Sequence, residues 1–493
     1  MHKFLPASLV LALGTPFGVS AQTVSSTPVK PALSSSATSA SDTIDAVDIR
    51  VLRQEIDALR AAYEARLAAL EVRVQAAESA RAAATVPPVA DLPVPTPVPT
   101  PVPVLAAASG GTNAFNPAIS LILSGLYART SNDPASYAIS GFQLPLSAPA
   151  GPGSRGFSLG ESELGFAASI DPWLRGAASI ALHPDNAVSV EEAFVQTTSL
   201  DHGLSVKAGR FFSGIGYLNS QHAHTWDFVD NPLAYQALLG TQYGDDGVQL
   251  KWLAPTDRYL EFGVELGRGR SHPGSDTSRN GAGMAALTAH TGDDFGASQT
   301  WRAGVSVLNA RASDQAVVAT NAGGDSVTSA FSGSTRVWVL DGVWKWAPNG
   351  NATRTSFKLQ GEVLRSARHG ELVYDAANAL NAPNSQRAGA YRALQSGWYV
   401  QGVYQFMAQW RVGLRTEQLN AGTPDYGLNA GSFASTSGSV RPSKQSLMVD
   451  FNPSEFSRVR LQIAQDRARQ GAADSQVFLQ YQMSLGAHGA HRY

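Results

Sequence analysis

The chain has 493 residues, with 46 glycines, 9% aromatic and only 15% charged residues. A mean hydropathy of −0.11 is too polar for a bundle of membrane helices, and a net charge of −2 lacks the basic excess of a nucleic-acid binder. With no cysteine, disulfides, thiolate metal sites and thiol catalysis are excluded.

Residues 1–21 have the pattern of an export signal. A short positive start, Met1-His2-Lys3, precedes an apolar run from Leu5 to Leu13, and Val19-Ser20-Ala21 offers the small residues of a cleavage site. The apolar run is too short to cross a bilayer as a helix, and no later segment supplies about 18 apolar residues in succession. Residues 22–42, rich in Ser, Thr, Ala and Pro, are expected to be disordered.

Residues 43–84 change to helical periodicity. Ile49, Leu52, Ile56, Leu59 and Tyr63 step by three and four, and Leu67, Leu70, Val74 and Ala77 continue the stripe after a stutter. So narrow a stripe on a polar helix cannot bury itself in a monomer, which predicts an α-helical coiled coil. Residues 85–112 follow as a proline-rich linker. Proline at every second position in "VPPVADLPVPTPVPTPVPV" favours polyproline II, and 18 residues at about 3.1 Å each make a spacer of roughly 55 Å.

Residues 113–493 alternate apolar and polar side chains in stretches of about ten. Val248, Leu250 and Trp252 interleave with Gln249 and Lys251; Leu260, Phe262, Val264 and Leu266 interleave with Glu261 and Glu265. Alternation alone also suits a soluble sandwich, but the connectors discriminate. Short turns (171–173, 254–258, 347–353, 452–456) take turns with long Gly, Ser, Asn and Asp-rich loops near 130–156, 212–245, 268–298, 366–390 and 419–443. Short turns at one end, long loops at the other, and aromatic residues beside the turns (Trp252, Tyr259, Trp344, Trp346, Phe406, Trp410) predict an all-β transmembrane barrel of the outer-membrane type.

Some fifteen strands are recognisable, and parity supplies another. The first strand, Ile119–Ala128, leaves the periplasm; the last, from Gln476, must return to it. Thr300–Leu308 and Thr335–Trp346 both read as returning strands, so an outgoing one is expected within 309–334, with Ser313–Thr320 as the candidate. The total is 16 antiparallel strands, enough for a water-filled lumen. The inward faces carry Glu161, Glu163, Lys207, Lys251, Glu261, Glu265, Lys358, Glu362, Arg411, Arg415, Arg458 and Arg460, expected to line the pore because hydrocarbon would penalise them.

The third long loop contains "NSQHAHTWDFVDNPLAYQALLG", Asn219 to Gly240. A loop dipping into the lumen needs aromatics against the wall, for which Trp226, Phe228 and Tyr235 are suited with Leu233 and Leu238. It also needs polar groups facing the channel, for which His222, His224, Asp227 and Asp230 are suited. Those four also offer a nitrogen and oxygen ligand set for zinc or copper; a structural loop is the alternative. His488 and His491 form a second pair, at the opposite end of the barrel. Ser158 lacks a nucleophile elbow, and Glu161 and Glu163 read as lumen charges, so no enzyme is expected.

With its export signal, coiled coil, linker and barrel, the chain resembles the phosphate-selective porin O/P-like group of outer-membrane channels. The phrases Asn219–Gly240, "WKWAPNGN" (Trp344 to Asn351) and "SLGAHGAHRY" (Ser484 to Tyr493) are similar to proteobacterial proteins labelled zinc-regulated or TonB-dependent outer-membrane receptors. The first resemblance implies passive diffusion and homotrimers; the second implies a metal receptor, whose 22-strand barrel and globular plug have no counterpart in the predicted coil and linker. The expectation is a passive porin-like channel in the bacterial outer membrane, contacting lipid, for small hydrophilic solutes or ions, with zinc as the specific option. Its periplasmic coil would reach towards peptidoglycan. A TonB-dependent-type metal receptor and a cell-wall tether are the alternatives.

Overall fold

The structure, a computed structural model, describes residues 117–146, 150–276, 280–381, 386–433 and 440–486. The expected export signal, disordered segment, coiled coil and linker lie outside the described residues, as do His488 and His491.

Strand propensity and two-residue alternation build one antiparallel sheet. In chain order its strands are β1 (Ala118–Thr130), β2 (Leu144–Pro145), β3 (Gly156–Leu159), β4 (Ser162–Ser169), β5 (Leu174–Leu182), β6 (Val188–Thr197), β7 (Leu204–Phe212), β8 (Gly244–Leu253) and β9 (Tyr259–Gly267). They continue with β10 (Met284–Phe295), β11 (Gln299–Thr320), β12 (Ser326–Trp346), β13 (Ser356–Tyr374), β14 (Arg387–Met407), β15 (Trp410–Asn420), β16 (Ser443–Ser454), β17 (Ser457–Asp466) and β18 (Asp474–Gly486). The two short strands, β2 and β3, belong to the first loop and pair with the extended end of β11 and with β1. The other sixteen form the wall. It closes where β1 pairs with β18, from Ser120 opposite Gly486 to Thr130 opposite Gln476, so no edge is left open.

Connections follow the expected alternation only in part, because 183–187 and 321–325, at the loop end, are shorter than the turns 198–203 and 347–355. Turns at 170–173, 198–203, 254–258, 296–298, 347–355, 408–409 and 455–456 share one end with the start of β1 and the end of β18. Loops 131–161, 183–187, 213–243, 268–283, 321–325, 375–386, 421–442 and 467–473 share the other. The wall is uneven in height: β4 has 8 residues and β9 has 9, while β11, β12 and β14 have 21 or 22.

The parity reading reached sixteen strands by two compensating errors. Met284–Phe295, placed in the loop near 268–298, is the returning strand β10. Thr300–Leu308 runs outward, not back, and Ser313–Thr320 is not a separate strand but the upper part of the same β11. A register shift between Ala312 and Gln315 breaks the alternation there, which makes one 22-residue strand look like two.

The two faces of the wall differ as a barrel in lipid requires. Val248 and Leu250 are 50% and 42% exposed on the outer face, while Gln249 between them is 3% exposed. Beside the short turns, outer aromatics pair across neighbouring strands: Trp252 with Phe262 at 5.9 Å between ring centroids, and Trp410 with Phe451 at 4.7 Å. Amphipathic rings at that level form the girdle that meets the headgroups. No helix among the described residues is long and apolar enough to cross a membrane.

Candidate functional site

The third loop, 213–243, folds into the barrel and is held there by the wall. Its one α-helix is α1, Leu233–Leu239, which begins after Pro232 and stops at Gly240 in the left-handed conformation. All seven helical residues are buried, and a helix with no polar face is stable only when enclosed. Leu233, Tyr235, Leu238 and Leu239 share an apolar cluster with Met284, Leu308, Val339, Leu364 and Leu419 of the wall and with Ile139 and Phe142 of the first loop.

Polar contacts fix the rest of the loop. Ser213 Oγ and Gly214 N donate to the Glu265 carboxylate at 2.5 and 2.8 Å. Glu362 accepts from Leu218 N at 2.9 Å, from the Tyr235 hydroxyl at 2.8 Å and from the Tyr399 hydroxyl at 2.7 Å. Glu417 accepts from Leu233 N at 2.5 Å, meeting an unpaired donor at the start of α1. Gly216 adopts φ +66°, and a Cβ there would stand 2.3 Å from Glu362 Oε2. Only glycine lets the backbone pass so close to that carboxylate.

Across the lumen the loop meets a basic wall. Asp227 is ion-paired with Lys358 and, at 3.3 Å, with Arg411. Asp230 pairs with Arg415 at 2.8 Å and Lys444 at 2.6 Å. Arg458 and Arg460 each donate at 2.9 Å to backbone carbonyls of the loop, those of His224 and Trp226. Burial disfavours the charged forms of Asp227 and Asp230. The cations beside them outweigh that, Lys358 and Arg411 for the first, Lys444 and Arg415 for the second, and hold both below the usual carboxylate range.

The opposite side is acidic. His224 Nδ1 lies 2.8 Å from Glu163 Oε2. His222 Nδ1 lies 3.3 Å from the same oxygen and 3.2 Å from Glu191 Oε2, and its Nε2 is 3.0 Å from Glu192 Oε2. The two rings stack with centroids 5.7 Å apart. Burial disfavours the His222 cation, but Glu163, Glu191 and Glu192 outweigh it and raise the pKa well above the ordinary histidine value. Two adjacent glutamates reach one imidazole because β6 carries a bulge. Its register against β5 shifts between Ser179 and Ile180, leaving Glu191 with no opposed residue.

Two sequence expectations need correction. His222 and His224 do come together, but Asp227 and Asp230 do not join them; the pull of four cations takes both aspartates to the basic wall. Nor do the inward charges simply line water. Glu163, Glu265, Lys358, Glu362, Arg411, Arg415, Arg458 and Arg460 all contact the third loop, and Glu265, Glu362, Arg415 and Arg460 are fully buried by it. Lys207, Lys251 and Glu261 stay half-exposed on β7, β8 and β9: Lys251 pairs with Glu261 at 3.0 Å, and Lys207 Nζ lies 4.3 Å from the Phe194 ring centre. Of the aromatics, Tyr235 packs in the main cluster, and Trp226 lies against it, half-buried. Phe228 contacts Val403 and Met448 and sits 4.7 Å from the Arg415 guanidinium. Glu191 and Glu192 escaped the sequence reading, since strict alternation gives the lumen only one of two neighbours.

A closed sixteen-strand cylinder with a greasy exterior, polar interior and alternating turns and loops is the architecture of outer-membrane barrels. No family model matches the chain. An uncharacterized protein of Aquifex aeolicus (strain VF5) is 28% identical over 362 residues, covering 69% of this chain and 70% of that protein. Among solved structures, the in-vitro folded outer-membrane protein OmpT of Vibrio cholerae is 11% identical, with 76% of this chain and 99% of that one covered and a TM-score of 0.45. An anion-selective porin from Comamonas acidovorans is 10% identical (75% and 99% covered, TM-score 0.45), and OprB of Pseudomonas putida is 12% identical (75% and 94% covered, TM-score 0.46). Any role for this barrel has to be read from its own residues.

Proposed function

We propose that the chain is a passive porin-like channel of the bacterial outer membrane, and not an enzyme. The observation carrying this reading is the third loop, threaded into the lumen and tied to wall charges on both sides, as a diffusion constriction requires. Small hydrophilic solutes or ions pass beside the loop, along the wall bearing Lys207, Lys251 and Glu261, which stay half-exposed on β7, β8 and β9. Divalent metal such as zinc is the specific cargo in this reading. Its assembly is a homotrimer in lipid, and peptidoglycan is a further partner, reached through the N-terminal coil expected from the sequence. A TonB-dependent-type receptor or a wall tether would not need a constriction built in this way.

The experiment is conductance of the purified chain in a planar bilayer, with reversal potentials in salt gradients, repeated with zinc. Ohmic steps whose ion selectivity shifts with Lys207→Glu are expected. A silent membrane with correctly inserted protein overturns the reading.

A further inference from the structure

We infer that Glu163, Glu191, His222 and His224 form a binding site for a divalent cation of the zinc type, clamping the third loop to the acidic wall. The inference deepens the channel reading and rests on it only for the ion's access from the lumen.

Three of the four ligand atoms are gathered already. Glu163, His222 and His224 each offer one ligand atom, all within 4.8 Å of one another. A tetrahedral zinc with bonds of about 2.0–2.2 Å requires neighbouring ligands roughly 3.3–3.5 Å apart. His222 Nδ1 stands 3.3 Å from Glu163 Oε2 and 3.2 Å from Glu191 Oε2; the His224 Nδ1 to Glu163 contact, at 2.8 Å, has only to open slightly.

The surroundings are those of ligands held in place. A metal-bound imidazole ordinarily gives its other ring nitrogen to a carboxylate, and here His222 Nε2 lies 3.0 Å from Glu192 Oε2. Ser179 Oγ donates to the second oxygen of Glu163 at 2.7 Å, fixing that carboxylate's rotation. The bulge in β6 brings Glu191 onto the same side as Glu192.

Charge supports a cation as well. Glu161 lies against Glu191 and Glu163, so four carboxyl groups meet two histidines in one half-buried recess. Lys207, beyond Glu192, is the nearby lysine. A divalent ion offsets the acidic excess, and two imidazoles with two carboxylates favour zinc, copper or nickel over the all-oxygen preference of magnesium and calcium.

The test is calorimetric titration of the full chain, refolded in detergent, with zinc chloride and separately with magnesium chloride. Cobalt absorption spectra report the ligand geometry without any substitution. One zinc per chain, no comparable magnesium binding and the intense visible bands of four-coordinate cobalt are expected. His222→Ala with His224→Ala should abolish binding, Glu163→Gln should weaken it, and Glu192→Gln, which removes only the orienting partner, should weaken it by roughly 10- to 100-fold. Circular dichroism of each variant establishes that the barrel is formed. Unchanged zinc uptake in the folded histidine double variant, or a wild-type chain that takes up no zinc or gives only six-coordinate cobalt, overturns the inference. Zinc binding without conductance removes the channel reading and leaves the site; conductance without zinc binding does the reverse.

Discussion

Asp230 of the third loop and Lys444 of β16 form an ion pair at 2.6 Å, with the lysine 2% exposed. Arg415 shares the aspartate at 2.8 Å. Without the aspartate, Lys444 keeps Asp466 at 3.6 Å and Arg415 keeps Glu417 at 3.1 Å, so the loss falls below the roughly 3–5 kcal/mol of a fully stranded buried charge. Asp230→Asn should therefore release the loop from the wall while the barrel stays intact. Larger single-channel conductance and faster chymotrypsin cleavage within 213–243 are the expected readouts, and Asp230→Asn with Lys444→Met should recover part of the effect. Conductance and cleavage equal to wild type would contradict the tie.

Acid should loosen the same tie. The folded-state pKa of Asp230 is held below its ordinary value of 3.8, so this contribution is present above that value and fades as pH falls through the folded one. Protease sensitivity of the loop is therefore expected to be flat from neutral pH down to about 5 and to change only below about 4. Because pepsin works there and chymotrypsin does not, the acid arm uses pepsin on wild type and Asp230→Asn side by side. The variant should already be open at both ends of the range.

Gly216 gives a test free of charge changes. Alanine there meets Glu362 Oε2 at 2.3 Å with the backbone at φ +66°. Positive φ alone costs a non-glycine residue roughly 1–2 kcal/mol, and the carboxylate must also move away from Tyr235 and Tyr399. Gly216→Ala should broaden the distribution of conductance steps, since the loop loses one settled position. A single sharp step identical to wild type counts against it.

The lipid belt has its own measurement. Leu414 is 60% exposed on the outer face of β15, four residues from the girdle residue Trp410. Leu414→Arg should lower unfolding free energy in vesicles by about 2–4 kcal/mol, the cost of arginine near the bilayer midplane. Leu428→Arg, in the loop at 421–442 and 67% exposed, should change it little. Equal effects at the two positions would mean that Leu414 does not face hydrocarbon.

Much of this fold is legible in alternation, because residues such as Leu250 and Gln249 must choose between lipid and lumen. Length marks the outer end at the longer loops, though not at 183–187 or 321–325, and the crowding of aromatics in Trp226, Phe228 and Tyr235 marks a loop that has to pack. What alternation hides is any place where it breaks. The bulge that exposes Glu191 beside Glu192 and the shift that made β11 look like two strands leave no residue-type signal. Partnership across the lumen is hidden too. Asp227 and Asp230 stand near His222 in sequence, yet the cations that claim them come from β13, β15 and β16, more than a hundred residues away.

The unequal wall has a consequence at the mouth. β11 to β14 exceed the shortest strands by about ten residues, which at roughly 3.3 Å per residue and a 45° tilt lifts their tips some 25 Å higher. Phe331, Leu372, Tyr391 and Phe433 weld that parapet together with an apolar cluster of their own. The entrance is thus a cup with one tall lip. A bulky particle approaching on that flank would meet the tall wall before the rim of the short strands.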